Sequence, residues 1–130
     1  MRNRAALLIA CSAKEAETIR ERAAFERRTI SAYVLQIVVR SAALDEKLFQ
    51  EYGKLRSLAD SEFTRRPPGP RTTMLLRCAS QESARIRTAA KRRTISISGF
   101  VLYALRYSWH LANAPLPFSP AGKDNSIRFA

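Results

Sequence analysis

Three polar side chains at alternate positions offer the plainest chemistry in this sequence. Arg71, Thr73 and Arg77 lie within residues 71–78 and are separated by even numbers of positions. Successive side chains of an extended strand point to opposite faces, so all three would lie on one face. Guanidinium and hydroxyl groups are hydrogen-bond donors. The spacing therefore predicts a polar strand face whose donors are available to a partner.

The charge of the chain indicates what such a surface would bind. The sequence has 23 Lys and Arg against 11 Asp and Glu, a formal net charge of +12. Residues 1–42 carry eight basic and four acidic side chains, residues 43–70 five of each, and residues 71–110 eight and one. Because the charge is concentrated in two segments, we favour a polyanionic partner, most simply nucleic acid, as its explanation. The alternative is that the charge only keeps the protein soluble.

The sequence offers little for catalysis. Its one histidine, His110, is expected at the end of a helix, and Cys11 and Cys78 lack the spacing of a zinc site. Glycine-rich phosphate loops are absent from the sequence as well. We expect no enzymatic activity, no metal and no cofactor.

The two basic segments are related in sequence. Residues 4–41 align with residues 71–108 without a gap, at an offset of 67 positions. The identical pairs are Arg4/Arg71, Leu8/Leu75, Cys11/Cys78, Glu15/Glu82, Ile19/Ile86, Arg20/Arg87, Ala23/Ala90, Ile30/Ile97, Ser31/Ser98, Val34/Val101, Leu35/Leu102 and Ser41/Ser108. Units of about 40 residues rarely sustain a core alone. We therefore expect the two repeats to bury their apolar faces against each other.

Each repeat reads as one strand followed by two helices. Alternation predicts strands over 4–11 and 71–78, with Leu7, Ile9 and Cys11 on the inner face of the first. Ser12 and Glu15 form a capping box that predicts a helix as far as Phe25. In repeat two Ala79 takes the cap position, and the helix is expected to end at about Lys91. The expected apolar stripes are Ala16, Ile19 and Ala23, and Ser83, Ile86 and Ala90.

A basic turn precedes the second helix of each repeat. Ser31 and Ser98 are predicted to be the N-caps of these helices. Tyr33 and Phe100 are expected to pack in the core rather than to stack on bases. The other predicted core positions are Val34, Leu35 and Val38 in repeat one, and Val101, Leu102 and Leu105 in repeat two.

This order of elements, together with the duplication, resembles the ribbon-helix-helix family of DNA-binding proteins over residues 4–42 and 71–109. The resemblance implies a mainly α fold in which two strand-helix-helix units pair through a two-stranded antiparallel ribbon, here as an intramolecular pseudo-dimer. It implies that the ribbon enters the DNA major groove and that the second helices hold phosphates at their N-termini. A tandem copy in one chain is similar to the accessory proteins of conjugative relaxosomes.

The resemblance also assigns candidate site residues. The candidates for base contacts are Arg71, Thr73, Leu75, Arg77, Arg4 and Leu8. The candidates for phosphate contacts are Ser31, Ser98, Arg27, Arg28, Arg92 and Arg93. Repeat one otherwise places alanines on its outer strand face, so base reading is expected mainly from repeat two.

The predicted domain organisation follows from the repeats. Residues 1–42 and 71–110 are the two units, and residues 43–70 are a helical connector with a Pro-rich linker. The connector is expected to be helical over 43–63, with an interruption at Gly53. Residues 111–130 read as a flexible tail. The apolar stretch before Cys11 is six residues, too short for a secretion signal, so we expect a cytoplasmic, nucleoid-associated protein without a membrane partner.

The most direct functional interpretation is a transcriptional repressor or relaxosome accessory factor that binds double-stranded DNA, with possible self-association on adjacent sites. Two alternatives stay open. One is an antitoxin-like module that binds a partner protein through its connector or tail. The other is a non-specific nucleoid-packaging protein, which the apolar outer strand of repeat one favours.

Overall fold

The computed structural model describes residues 4–113, which form four α-helices and one two-stranded antiparallel sheet. The elements are β1 (Arg4–Ser12), α1 (Ala13–Phe25), α2 (Ile30–Tyr52), a short 3-10 helix (Glu62–Thr64), β2 (Arg71–Ala79), α3 (Ser80–Arg92) and α4 (Ile97–Asn113). The mainly helical fold class and the order of elements in each half are confirmed. The expected flexible tail lies outside the described residues from position 114 onward, whereas residues 111–113 belong to α4.

The sheet has one buried face and one exposed face. β1 and β2 pair in nine rows, with Leu8 opposite Leu75 in the middle row. The inward side chains alternate with exposed ones in both strands, as predicted. They are Leu7, Ile9, Cys11, Met74, Leu76 and Cys78, all buried. Every second side chain therefore remains available on the opposite face.

The first helix of each half begins directly after its strand. At α1 the Glu15 amide donates to Ser12 Oγ at 3.0 Å, and the Ser12 amide donates to Glu15 Oε1 at 3.2 Å, so the predicted capping box is present. At α3 the residue in the cap position is Ala79, and its amide donates to Glu82 Oε1 at 2.8 Å. The predicted apolar stripes of both helices are buried. Through these stripes, α1 and α3 pack against the shared core.

The second helices supply the centre of the core. Val34, Val38, Val101 and Leu105 are fully buried, and Leu102 is nearly so. Leu35 is half-buried rather than buried and packs against this core. The core packing predicted for Tyr33 and Phe100 is confirmed, at 2% and 0% exposure. The Tyr33 hydroxyl also accepts a hydrogen bond from Trp109 Nε1 at 2.9 Å, which ties the start of α2 to the end of α4.

The connector differs from its prediction. α2 continues without a break to Tyr52, where Gly53 ends it in the left-handed conformation at φ 78°. The helix predicted over 43–63 is therefore wrong beyond Gly53, since residues 54–61 are not helical. Glycine adopts a positive φ without steric cost, which makes it a common residue immediately after a helix. Leu44 and Leu48 are exposed on α2, whereas Leu58 is buried in the non-helical segment.

The connector is anchored to α4. Arg106 on α4 donates to the carbonyl oxygens of Phe63 at 2.8 Å and Arg65 at 3.2 Å. The same guanidinium donates to Glu15 Oε2 at 2.6 Å. Phe63 lies edge-on to Tyr103 and Tyr107, with ring centroids 6.2 and 5.6 Å away. Arg106 thus joins α1, α4 and the connector at one point.

Cys11 and Cys78 are buried free thiols. Cys11 lies opposite Thr72 and Cys78 opposite Ala5, six rows apart. At about 3.3 Å per residue that separation is about 20 Å, beyond the reach of a disulfide. Burial raises the pKa of both thiols, with a smaller contribution from Glu15 at Cys11 and Glu82 at Cys78.

Within residues 4–113, no helix combines the length and apolar character that crossing a membrane requires.

Because β1 has β2 as its strand partner and the helices share one core, we expect the whole chain to unfold in one cooperative transition. Fragments 1–53 and 54–113, expressed separately, should lack a sharp thermal transition in circular dichroism and should regain one when mixed. A monomeric fragment that melts sharply, at a temperature independent of concentration, would contradict this expectation.

The Glu15–Arg106 ion pair predicts an acid-sensitive contribution to stability. Burial alone would raise the pKa of Glu15, but hydrogen bonds from Arg106 and from the Ser12 backbone outweigh it, so the pKa lies below its usual 4.5. A carboxyl with a lowered pKa stabilises the fold at neutral pH, and that contribution is lost as the pH falls from about 5 through the pKa of the folded state.

The side chains of Arg106 and Glu15 are 14% and 12% exposed, so removing one partner leaves a nearly buried charge. Replacing Arg106 with Met should lower the free energy of unfolding by about 3 kcal/mol at pH 7, and by less at pH 3. Urea unfolding at both pH values measures this, with Arg65→Met, at an exposed site, as the control. An equal loss at both pH values would show that Arg106 acts through the connector carbonyls alone.

Candidate nucleic-acid interface

The exposed face of the sheet carries the side chains expected to contact bases. Its outward positions are Arg4, Ala6, Leu8 and Ala10 on β1, and Arg71, Thr73, Leu75 and Arg77 on β2, all exposed. Leu8 is 68% exposed and Leu75 is 44% exposed, which is unusual for leucines at the centre of a sheet. All six residues predicted to contact bases therefore lie on one surface.

The strand register gives this surface two different ends. Ala6 lies opposite Arg77, and Arg4 is two residues along β1 from Ala6, so both guanidinium groups belong to one end. Ala10 lies opposite Thr73, and Arg71 follows at the other end. Leu8 and Leu75 separate the two ends. The face is thus basic at its ends and apolar in the middle.

Ser31 and Ser98 hold the second helices to the edges of the sheet. The Arg77 amide donates to Ser31 Oγ at 2.9 Å, and the Ala10 amide donates to Ser98 Oγ at 2.9 Å. Each strand of a two-stranded sheet has an open edge, and these hydroxyls satisfy one edge amide on each. We therefore name the end with Arg4, Ala6 and Arg77 the α2 end, and the end with Arg71, Thr73 and Ala10 the α4 end.

The predicted N-cap role of Ser31 and Ser98 is wrong. The caps are Thr29, whose Oγ1 accepts from the Ala32 amide at 3.1 Å, and Ser96, whose Oγ accepts from the Gly99 amide at 2.9 Å. Ser31 and Ser98 lie inside the first turn, where their hydroxyls reach the strands instead. Each helix therefore uses two hydroxyl residues, one to cap itself and one to fix its position on the sheet.

The first turns of α2 and α4 lie against the ribbon, one near each end. The side-chain cap satisfies the third amide of each helix, and intrahelical hydrogen bonds begin at Tyr33 and Phe100. The first amides of a helix have no intrahelical acceptor and carry the positive end of the helix dipole. At the α2 end, Arg4, Thr29, Ser31 and Arg77 line a shared groove. This groove combines two guanidinium groups and a helix N-terminus with one carboxylate, that of Glu82, so its net charge is positive and suited to an anion.

The two turns before these helices differ in charge. Arg27 and Arg28 are exposed ahead of α2, and Arg27 adopts a positive φ of 56°. Arg28 Nε lies 3.5 Å from Glu26 Oε1, an exposed contact that restrains it little. Thr94 occupies the position equivalent to Arg27 and has a similar φ of 64°. The backbone of the turn is thus the same at both ends, but only the α2 end has arginines there.

Arg92 and Arg93 are engaged elsewhere. Arg93 donates to both carboxylate oxygens of Asp45, at 2.8 and 2.9 Å, and to the Arg56 carbonyl at 3.0 Å. The hydrogen bonds to Asp45 raise the pKa of Arg93 despite its burial. Arg92 donates to Glu46 at 2.6 Å and covers the ring of Phe49 at 3.7 Å from its centroid. These contacts hold both arginines against α2 and the connector.

Several residues of this arrangement were not identified from the sequence. Thr29 and Ser96 occupy equivalent positions in the repeats, each just before an apolar helix. A hydroxyl residue at that position is a signal from which both N-caps could have been predicted. Asp45 gave no comparable signal, because its partner Arg93 is 48 positions away.

Among residues 4–113 there is no cluster of three or more His, Cys, Asp or Glu side chains that could hold a metal ion. Comparisons of this chain with protein-family models, with curated proteins and with solved structures found no match.

The serine–strand hydrogen bonds predict a paired experiment. In Ser98→Ala the Ala10 amide loses its acceptor, and in Ser31→Ala the Arg77 amide does. We expect hydrogen exchange to accelerate about tenfold at the affected amide and the free energy of unfolding to fall by about 1 kcal/mol. Each variant is the control for the other in NMR-detected exchange. Equal acceleration of both amides in one variant would indicate general destabilisation and would contradict this local role.

Proposed function

We propose that this chain binds double-stranded DNA by inserting its two-stranded ribbon into the major groove, without catalysis. The observation that carries the proposal is the exposed face of the ribbon, where Arg4, Arg71 and Arg77 flank a central pair of leucines. Two strands about 4.8 Å apart fit a groove about 12 Å wide. The arginines are suited to guanine, and exposed leucines are suited to thymine methyl groups.

The helices support this proposal at the margins of the ribbon. DNA backbones run along both sides of the groove, where the N-termini of α2 and α4 would meet them. The Ser31 and Ser98 hydrogen bonds fix the distance from each helix to the ribbon, so contacts to bases and to phosphates would be made in one register. Arg27 and Arg28 add two charges beside the α2 N-terminus.

We further propose that the fold is a tandem ribbon-helix-helix duplication that pairs within one chain. The bounds of β1 and β2, of α1 and α3, and the starts of α2 and α4 all differ by 67 positions, the offset of the sequence repeat. The pair Leu8–Leu75 has the same offset and lies at the centre of the register. These correspondences support the proposal of two units related by a two-fold axis through the middle of the ribbon. Regulation of transcription or a role in a relaxosome would be consistent with such a protein.

One observation favours a second candidate function, binding of a partner protein. Leu44, Leu48 and Tyr52 are exposed on α2 at intervals of four residues, so they form an apolar stripe on one side of the helix. Stripes of this kind serve helix-mediated recognition. An antitoxin-like protein would combine this surface with the DNA-binding ribbon.

The DNA-binding proposal predicts a strong dependence on salt. Six neutralised phosphates would give a slope near −5 in a plot of log affinity against log salt concentration. The double variant Arg4→Ala/Arg77→Ala should weaken binding at least tenfold, whereas Arg85→Ala/Arg87→Ala removes the same charge from α3 and should have a smaller effect. Fluorescence anisotropy of a labelled duplex, measured at several salt concentrations, tests both expectations.

Two outcomes of that titration would contradict the proposal. One is the absence of duplex binding at 50 mM salt. The other is an equal loss in the two double variants, which would place the interface off the ribbon. Duplex binding that survives in both arginine variants and is lost only in Leu44→Ser/Leu48→Ser would place the DNA contact on the apolar stripe of α2 instead of the ribbon.

A further inference from the structure

We infer that the DNA target is a non-palindromic duplex site read in one orientation, with guanines on the flank under the α2 end. This inference rests on the proposed function. It concerns the difference between the two ends of the ribbon, which is not apparent when the two repeats are aligned.

The difference follows from the register. The 67-position offset makes Arg4 equivalent to Arg71, Ala6 to Thr73 and Ala10 to Arg77. Because the strands are antiparallel, Arg77 of the second repeat lies beside Arg4 of the first, opposite Ala6. The α2 end therefore presents two guanidinium groups and an alanine, and the α4 end presents one guanidinium, a threonine and an alanine. The two substitutions between the repeats, Ala6 for Thr73 and Ala10 for Arg77, thus give the two ends of the ribbon different side chains.

Arginine and threonine read bases differently. Arginine donates two parallel hydrogen bonds to guanine O6 and N7, and the wrong base costs about 5- to 150-fold in affinity. Threonine both donates and accepts, so it discriminates among bases less strongly. The α2 end can specify two guanines, whereas the α4 end specifies one through Arg71. Between them, Leu8 and Leu75 favour A·T pairs through the thymine methyl groups.

Orientation depends on these side chains rather than on total charge. Arg27 and Arg28 precede α2 in the chain, and Arg65 and Arg66 precede Arg71 at the α4 end. Backbone contacts are therefore possible in both orientations, and base contacts distinguish them. One chain carries both ends, so the orientation cannot be averaged out as it would be in a homodimer.

Selection of bound fragments from random duplex DNA, with the full chain, tests this inference. The expected motif has two guanines on one flank, A·T pairs in the middle and a weaker opposite flank. Replacing the two guanines should reduce affinity by tenfold or more. The variant Ala6→Thr/Ala10→Arg gives both ends the same three side chains, and its selected motif should become palindromic. Ala6 and Ala10 are exposed, so the new side chains meet solvent rather than the core.

Ala43→Arg is the matched control, since it adds the same charge on α2 about 20 Å from the helix N-terminus and should keep the asymmetric motif. A palindromic motif for the unmodified chain, or duplex binding with no motif, would overturn the inference and leave the proposed function standing. An asymmetric motif that persists in Ala6→Thr/Ala10→Arg would also overturn it. Failure to bind any duplex would remove the proposed function itself.

Discussion

The antiparallel pairing of β1 with β2 is the constraint on which the other elements depend. A two-stranded sheet is marginal in water, and here its inner face is covered by all four helices, with Ile9 and Leu76 at 0% and 1% exposure. The alternation that buries one face necessarily exposes the other. The serine hydroxyls of α2 and α4 then satisfy an edge amide on each strand, so the helices complete the sheet as well as cover it. The same contacts that stabilise the ribbon also place two helix N-termini at its ends.

Much of this arrangement follows from local sequence patterns. Period-two alternation predicted the strands and their inner face, and the Ser12–Glu15 capping box predicted the start of α1, because both signals act within a few residues. The serines were harder to interpret. A hydroxyl just before an apolar helix predicts a cap, and nothing local shows that Ser31 bonds instead to Arg77, 46 positions away. The helix predicted to resume after Gly53 is wrong, because leucines at helical spacing continue past the glycine, to Leu58, although the backbone there is not helical.

The roles of the arginines could be assigned only from the tertiary structure. Arg27, Arg28, Arg92 and Arg93 form similar basic turns in sequence, but only the first pair is exposed. Arg93 is held by Asp45, and Arg106 is held by Glu15, each with further hydrogen bonds to the connector. The positions equivalent to Arg93 and Arg106 in the first repeat are Glu26 and Val39, so these ion pairs have no counterpart there. The connector is thus a part of the fold that the repeat symmetry does not explain. Because it helps to bind Arg93 and Arg106, the exposed arginines differ between the α2 end and the α4 end of the ribbon.

Hydrogen exchange mapped along the chain, with and without a short duplex, tests most directly the claim that the ribbon is the DNA-binding surface. The account predicts added protection in residues 4–12 and 71–79 and in the first turns of α2 and α4, with residues 43–64 unchanged. Protection confined to residues 43–64, with the ribbon unchanged, would contradict it.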